Sequence, residues 1–476
     1  MPTVSQHIAF GVGGENTEPS KPVSSEKLTN MFLHPNRNGA KHPYTVYRYP
    51  GLNIFRNFTA IAGADATIRG MHPYKQGLVV VAGTKVYYLK KTGAIPTFLG
   101  STTHSKSPCI MAEHDDGIVI CSGSDAYLAT ETTLAELSDT INAEVSTCTV
   151  LDSYVVFSDV GTNVFRVSQP GDALSYDPTE FSTADAYADN IVRVFAINRE
   201  LWILKERSYE IFTNTGNLDF PFQRITSAAY QRGCVGKYAC AQHQGTLFFV
   251  GNDFRMYMSQ GYQVVPISTY AIDNVLRNDG AVTSCHMSAV QYLSHVWVIL
   301  HTPNNTLVYD VATNVWFRLE SSPTTHTFTH GHIHAQLGDR IFSADQTLPM
   351  VYEYDDNTFD YAGSTCVCAC VSAPVFGSGA RMAMYDLRVF FESGTTLIGD
   401  NTQGTQPKAM LQMSDDGGRT FGHEIWTSIH PMGAYGKEAR FTRLGQFKER
   451  CLKLSVSDPI RIAISGAVCK IAGGAV

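Results

Sequence analysis

Seven stretches in the middle of the chain repeat one pattern: an apolar run, a short polar turn, a second apolar run. They occupy residues 77–89 (GLVVVAGTKVYYL), 116–129 (DGIVICSGSDAYLA), 152–168, 200–213, 245–259, 295–310 and 339–355. Runs rich in Val, Ile, Phe and Tyr, bounded by Gly, Asn or Asp, read as β-hairpins. Counted from Leu78, Gly117, Tyr154, Leu201, Thr246, Val296 and Arg340, the steps are 39, 37, 47, 45, 50 and 44 residues. Four-stranded propeller blades recur every ~40–50 residues, and strands that are apolar on both faces suit the interior of radially packed blades. The pattern predicts an all-β fold with a β-propeller of six or seven blades over residues 64–362.

Helical periodicity is scarce. Residues 133–145 place Leu134, Leu137 and Ile141 on one face behind a Thr133…Glu136 capping box. Residues 269–278 form a second short candidate, ending near Gly280. Both are predicted as inserts between blades. The ends differ from the middle. Residues 1–63 carry six prolines (Pro2, Pro19, Pro22, Pro35, Pro43 and Pro50) without clean alternation, which predicts an extended N-terminal arm packed on another component. Residues 363–476 return to β texture without the hairpin repeat, at 385–392, 409–414, 450–456 and 460–469. They are predicted as a C-terminal β domain, able to lend one strand that closes the propeller.

Composition narrows the class. Hydrophobic residues are 44%, aromatic 11% and charged 17%, which excludes a disordered chain. No apolar run approaches the ~20 residues that span a bilayer, so this chain is expected not to insert into a membrane. The polar first twenty residues lack the basic-then-apolar order of a secretory signal. Net charge is −7, against the basic excess of a nucleic-acid reader; only 437–453 offers a local basic patch. Eleven scattered cysteines predict free thiols in a reducing cytoplasm, not a disulfide framework.

The sharpest local motif is Ser414-Asp415-Asp416-Gly417-Gly418-Arg419-Thr420-Phe421, which fits the S-x-D-x-G-x-T-(W/F) pattern of an Asp-box. In such a turn the carboxylate and hydroxyls bond backbone amides, so Ser414, Asp416, Gly418 and Thr420 are read as structural. Sialidases carry Asp-boxes, but repeated over several blades, and a glycosidase needs two carboxylates across a cleft. Asp115-Asp116 and Asp355-Asp356 sit side by side in expected turns instead. His326, His330, His332 and His334 alternate, so two of them on one strand face could chelate a metal, yet no third or fourth ligand is identifiable. Cys366, Cys368 and Cys370 share a strand face and read as core. G-x-S-x-G and G-x-x-x-x-G-K-[ST] do not occur, and the Gly11–Gly14 cluster has no strand before it or helix after it. The expectation is no catalytic residue, no metal and no cofactor.

Four stretches, in order, carry a family resemblance. The first is Leu28-Thr29-Asn30-Met31 with Tyr49-Pro50-Gly51-Leu52. The second is Ser208-Tyr209-Glu210-Ile211-Phe212-Thr213-Asn214-Thr215-Gly216, leading into Phe220-Pro221-Phe222 and Gly233-Cys234. The third is Val265-Pro266-Ile267-Ser268-Thr269 with Ile272-Asp273, before Leu307-Val308-Tyr309-Asp310 and Trp316. The last is Ser414–Gly418, ahead of Arg443-Leu444-Gly445 and the closing apolar strands. In this order the chain resembles the tail nozzle (tail-hub, packaged DNA stabilisation) proteins of short-tailed bacteriophages; loop lengths and the histidine run depart from the family. The resemblance implies a non-enzymatic virion protein of the viral tail, assembled in the host cytoplasm. It implies a homo-oligomeric ring, taken as a hexamer, below the portal and its adaptor. Such a ring extends the DNA exit channel, retains the packaged genome, anchors a tail fibre or spike and carries a plug or needle. DNA would pass through it without sequence-specific binding. The alternatives are a propeller glycosidase acting on host surface polysaccharide and a kelch-like cytoplasmic binding module.

Overall fold

The computed structural model describes residues 3–473 except 19, 21–23, 39, 41, 218, 281, 323–326, 378 and 395–403. Each predicted hairpin forms the middle pair of a four-stranded antiparallel unit. The second unit is typical: Cys109–His114, Gly117–Ser122, Asp125–Ala129 and Leu134–Glu136 pair in chain order. Its second strand is buried along its whole length, as a strand covered by neighbouring sheets on both faces must be. Six such sheets stand alone. A seventh set, from His286–Tyr292 to Val315–Leu319, begins an eleven-stranded sheet that runs on into the C-terminal region. The first strands of neighbouring units lie side by side at six of the seven junctions, and Ile333–Leu337 of the last returns to Ile68–Tyr74 of the first, closing the ring.

Three expectations are corrected. The strand that completes the last blade is Gly51–Asn57, paired antiparallel with Met350–Asp355, so the N-terminal segment and not the C-terminal one closes the propeller. The predicted helix over 133–145 is mostly extended. Leu134–Glu136 is the outer strand of its blade, and only Ser138–Ile141 is helical; pairing with Asp125–Ala129 overrides a weak helical pattern. The segment 1–63, expected as an extended arm packed on another component, pairs within its own chain. Val4–Ile8, Ser25–Thr29, Met31–Pro35 and Tyr44–Arg48 are strands of the sheets beside the propeller. The helix at 269–278 forms as Tyr270–Asn278, with the Thr269 hydroxyl accepting from the Ile272 amide; an oxygen there satisfies one of the unpaired amides of the first turn.

Beside the propeller lie two sheets. One orders Ala439–Thr442, Met382–Phe391, Ala463–Gly473, Tyr44–Arg48 and Met31–Pro35. The other is the far part of the eleven-stranded sheet: Ser25–Thr29, Cys368–Val371, Glu449–Val456, Lys408–Ser414 and Ile425–Ser428. One apolar core joins these sheets to the last two blades, running from Phe32, Tyr49 and Trp297 to Leu411, Leu454 and Ile464.

Candidate functional site

The joint between propeller and sandwich is built from the Leu28-Thr29-Asn30-Met31 motif. Thr29 pairs in parallel with Arg318 of the blade and antiparallel with Ala369 of the sandwich. Asn30 then takes a left-handed backbone (φ 54°), which Asn adopts more readily than most residues. Its amide nitrogen donates to the carbonyls of Glu320 and Val367, 2.9 Å each, and its carbonyl oxygen accepts from the Glu320 amide at 2.9 Å. One buried side chain therefore ties both halves. Nearby, Arg318 and Glu15 form a buried ion pair at 3.0 Å. Arg48 donates to the carbonyls of Asp458, Ile460, Phe359 and Cys366, fastening the loops on either side.

The Asp-box turns the chain between Lys408–Ser414 and Ile425–Ser428. Ser414 donates to Asp416 at 2.6 Å and accepts from the Gly418 amide at 2.9 Å. Asp416 also accepts from the Arg419 and Thr420 amides and from the Thr420 hydroxyl. These donors, the Ser414 and Thr420 hydroxyls foremost, hold its carboxyl well below the usual range. A Cβ on Gly418 (φ 80°) would meet Ser25 at 2.5 Å, so the turn also packs against the N-terminal segment. The neighbouring Asp415 forms a two-point pair with Arg450, at 2.6 and 2.7 Å.

That pair lies in the local basic patch at 437–453. Arg450 is buried and also lies 4.5 Å from the Phe447 ring centroid. Arg440 reaches Asp386 at 2.7 Å. These cations are engaged within their own chain.

The other carboxylate pairs are placed in turns. Asp115 and Asp116 separate two strands of the second blade; Asp355 accepts from Asn53, Asn357 and Thr358, and Asp356 from the Tyr292 hydroxyl.

The histidines do gather, but with partners the sequence run did not reveal. His286 and His301 are cross-strand neighbours in the blade before, and each ring lies 5.0 Å from that of His332. His334 contacts the Tyr354 hydroxyl at 3.0 Å, and His330 the Ser321 hydroxyl at 3.1 Å; His326 lies outside the described residues. Burial first, and repulsion between neighbouring rings for two of them, lowers His301 to about 3, His332 to about 4 and His334 to about 3. Among the described residues no group of three or more His, Cys, Asp or Glu is arranged to hold a metal ion. Cys366, Cys368 and Cys370 are buried, as are all eleven cysteines, each a free thiol. No helix among the described residues is long and apolar enough to cross a membrane.

Comparison with known proteins matches this architecture unit by unit. The family described as bacteriophage P22 Gp10, beta-propeller, matches residues 11–359. The family described as bacteriophage P22 Gp10, beta-sandwich, matches residues 369–472. No curated protein sequence is a significant match. Among solved structures, the N-terminal domain of Nup159 is similar at TM-score 0.40 and 9% identity, over 70% of this chain and 100% of that one. YCF48 bound to D1 peptide is similar at TM-score 0.39 and 10% identity, over 61% of this chain and 92% of that one. With a P22 Gp10 propeller match followed in chain order by a P22 Gp10 sandwich match, together spanning nearly the whole chain, the chain belongs to the bacteriophage P22 Gp10 family of DNA-stabilising tail proteins.

Proposed function

We propose that this chain is the ring-forming nozzle subunit of a short-tailed phage, working without catalysis. Six copies form a ring below the portal and its adaptor, extend the DNA exit channel, and retain the packaged genome together with a plug or needle. The outer face of the ring carries fibres or spikes, and the ring is assembled in the host cytoplasm before it joins the virion tail. The observation that carries this reading is the ordered match to both P22 Gp10 families over 11–359 and 369–472. Within it, the propeller (64–362) and the C-terminal unit (363–476) act as two working parts stitched by residues 1–63. Net charge supports it: six subunits of −7 each give a wall that repels phosphates, so DNA slides without the counterion-release affinity of a clamp. The Asp-box serves as turn chemistry in the outer sheet, its carboxylate committed to the backbone.

Electron cryomicroscopy of the tail tests the proposal. The expected map places six copies in a ring around the DNA axis next to the adaptor. Density for this chain away from that axis, or in another copy number, overturns it.

A further inference from the structure

Every propeller unit opens with a two-residue turn between its first and second strands. The seven pairs are Lys75-Gln76, Asp115-Asp116, Asp152-Ser153, Asn198-Arg199, Gln244-Gly245, Leu293-Ser294 and Gly338-Asp339. In six of the seven the first residue is left-handed, as tight hairpins demand. Polar residues and glycine fill thirteen of these fourteen positions. The exception is Leu293, at φ 52° and 73% exposed. A bulky apolar side chain held out to solvent on a strained backbone marks a place where the surface does something.

Leu293 forms the lip of a cleft of about 400 Å³ between propeller and sandwich. Phe32, Tyr47, Tyr292 and Phe359 line it, and His34 stands among them. Phe32 is fixed edge-on to His295, with ring centroids 5.1 Å apart, and the Tyr292 hydroxyl is occupied by Asp356 at 2.6 Å. The cleft thus combines aromatic side chains, one with its polar tip already engaged, with polar ones, Arg461 and Asn357 among them.

Behind His34 runs a buried relay. Asp310 lies 2.7 Å from His295 Nδ1, and His295 Nε2 lies 2.9 Å from His34 Nδ1. Asp310 is itself oriented by the Ala312 amide and the Thr313 hydroxyl. With both rings neutral the protons have one arrangement. The carboxylate accepts from His295 Nδ1–H, and His295 Nε2 accepts from His34 Nδ1–H. His34 Nε2 keeps its lone pair. Burial first, then repulsion from the adjacent His295, lowers the pKa of His34, which favours its neutral ring.

We propose that this cleft is a docking socket for an aromatic side chain with a hydrogen-bond donor at its tip, a tyrosine or tryptophan of a partner polypeptide, its ring between the aromatic walls, its donor on His34 Nε2 and the adjoining chain against Leu293. Aromatic residues with a polar handle suit a site that is apolar along its sides and accepting at one point. Such residues are also the commonest anchors of protein interfaces. The exposed lip favours a polypeptide over a small polar ligand, because the occupant must continue past the cleft along an aliphatic side chain. The socket stands on this geometry alone, whatever the ring's place in the virion.

Ligand-observed NMR on the full chain provides the test. N-acetyl-tyrosinamide should bind about five- to tenfold more tightly than its O-methyl ether, which keeps the ring but lacks the donor. Extending the probe to the Tyr-Leu dipeptide amide should tighten binding by about threefold or more, and Leu293→Asp should remove that gain. His34→Leu should abolish the preference for the free hydroxyl; the O-methyl comparison on the unaltered protein decides the point even if that variant misfolds. Equal binding of the ether, tighter binding of methyl glucoside, or no saturable binding of any probe overturns the socket.

Discussion

The propeller and the sandwich are both all-β, yet they are made in opposite ways. In the second blade Ser122 pairs with Asp125 and His114 with Gly117, so the chain finds its partner within a few residues. In the sandwich Val4 pairs with Ile471, Leu28 with Cys370 and Val46 with Ile464. Each of those contacts closes a loop of hundreds of residues. Local hairpins carry a small loop-closure cost, whereas distant pairings must be repaid by burial and side-chain anchoring. Asn30, Arg48 and the Arg318–Glu15 pair lie where the distant pairings meet the blades. Blades repeat a local code; the sandwich is assembled by the two ends of the chain meeting, and the joint residues hold that meeting.

The harshest way to break this contrast is to remove residues 1–57. That takes the outer strand of the last blade and five strands of the adjoining sheets. The expected result, read by circular dichroism and hydrogen exchange, is loss of the sandwich and exposure of Met350–Asp355, with the second to fifth units still protected. Next comes Trp297→Ala. Its ring is fully buried and stacks on Tyr292 at 4.5 Å and beside Tyr49 at 4.7 Å, so truncation should cost about 3–5 kcal/mol in denaturant unfolding. Asn30→Ala should cost about 3 kcal/mol, from buried partners left unpaired. Asn30→Gly, which relieves the left-handed backbone but restores no hydrogen bond, should recover only a minor part.

Acid should act on the propeller side. In the unfolded chain an imidazole titrates near 6.5, whereas His301, His332 and His334 do so only at about 3 to 4 in the native protein. Between those values the unfolded chain binds more protons. Stability is therefore complete above about pH 6.5 and is lost as pH falls toward 4. Thermal melts at pH 7 and 4.5 measure the loss, and His332→Gln should flatten the dependence. The smallest effect belongs to Asp416→Ala. It should lower the melting temperature slightly and raise exchange at residues 415–424, without reaching the blades.

The same contrast explains what was legible in the sequence. Seven hairpins at a steady step specify blades, since each strand's partner is its neighbour in the chain. The outer strands were less visible: Leu134–Glu136 reads as helix, and Gly51–Asn57 lies three hundred residues from its partner. The prolines of the N-terminal segment hid its strands, with Pro35 ending one at the rim of a sheet and Pro50 separating two others. The Asp-box was visible because all its partners lie within seven residues. The histidine gathering was half visible. His332 and His334 stand in the sequence run, whereas His286 and His301 come from another blade. The relay behind His34 joins residues 34, 295 and 310, which no spacing along the chain brings together.

The central claim is that propeller and sandwich form one cooperative body through their shared sheet. Native-state hydrogen exchange under rising denaturant tests it most directly. The account predicts that the amides of Val315–Leu319 in the blade and of Cys368–Val371 and Glu449–Val456 in the sandwich open together, with the same free energy and denaturant dependence, and that Asn30→Ala lowers them in step. Sandwich strands that open at a distinctly lower free energy, with the blade unaffected by Asn30→Ala, would contradict it.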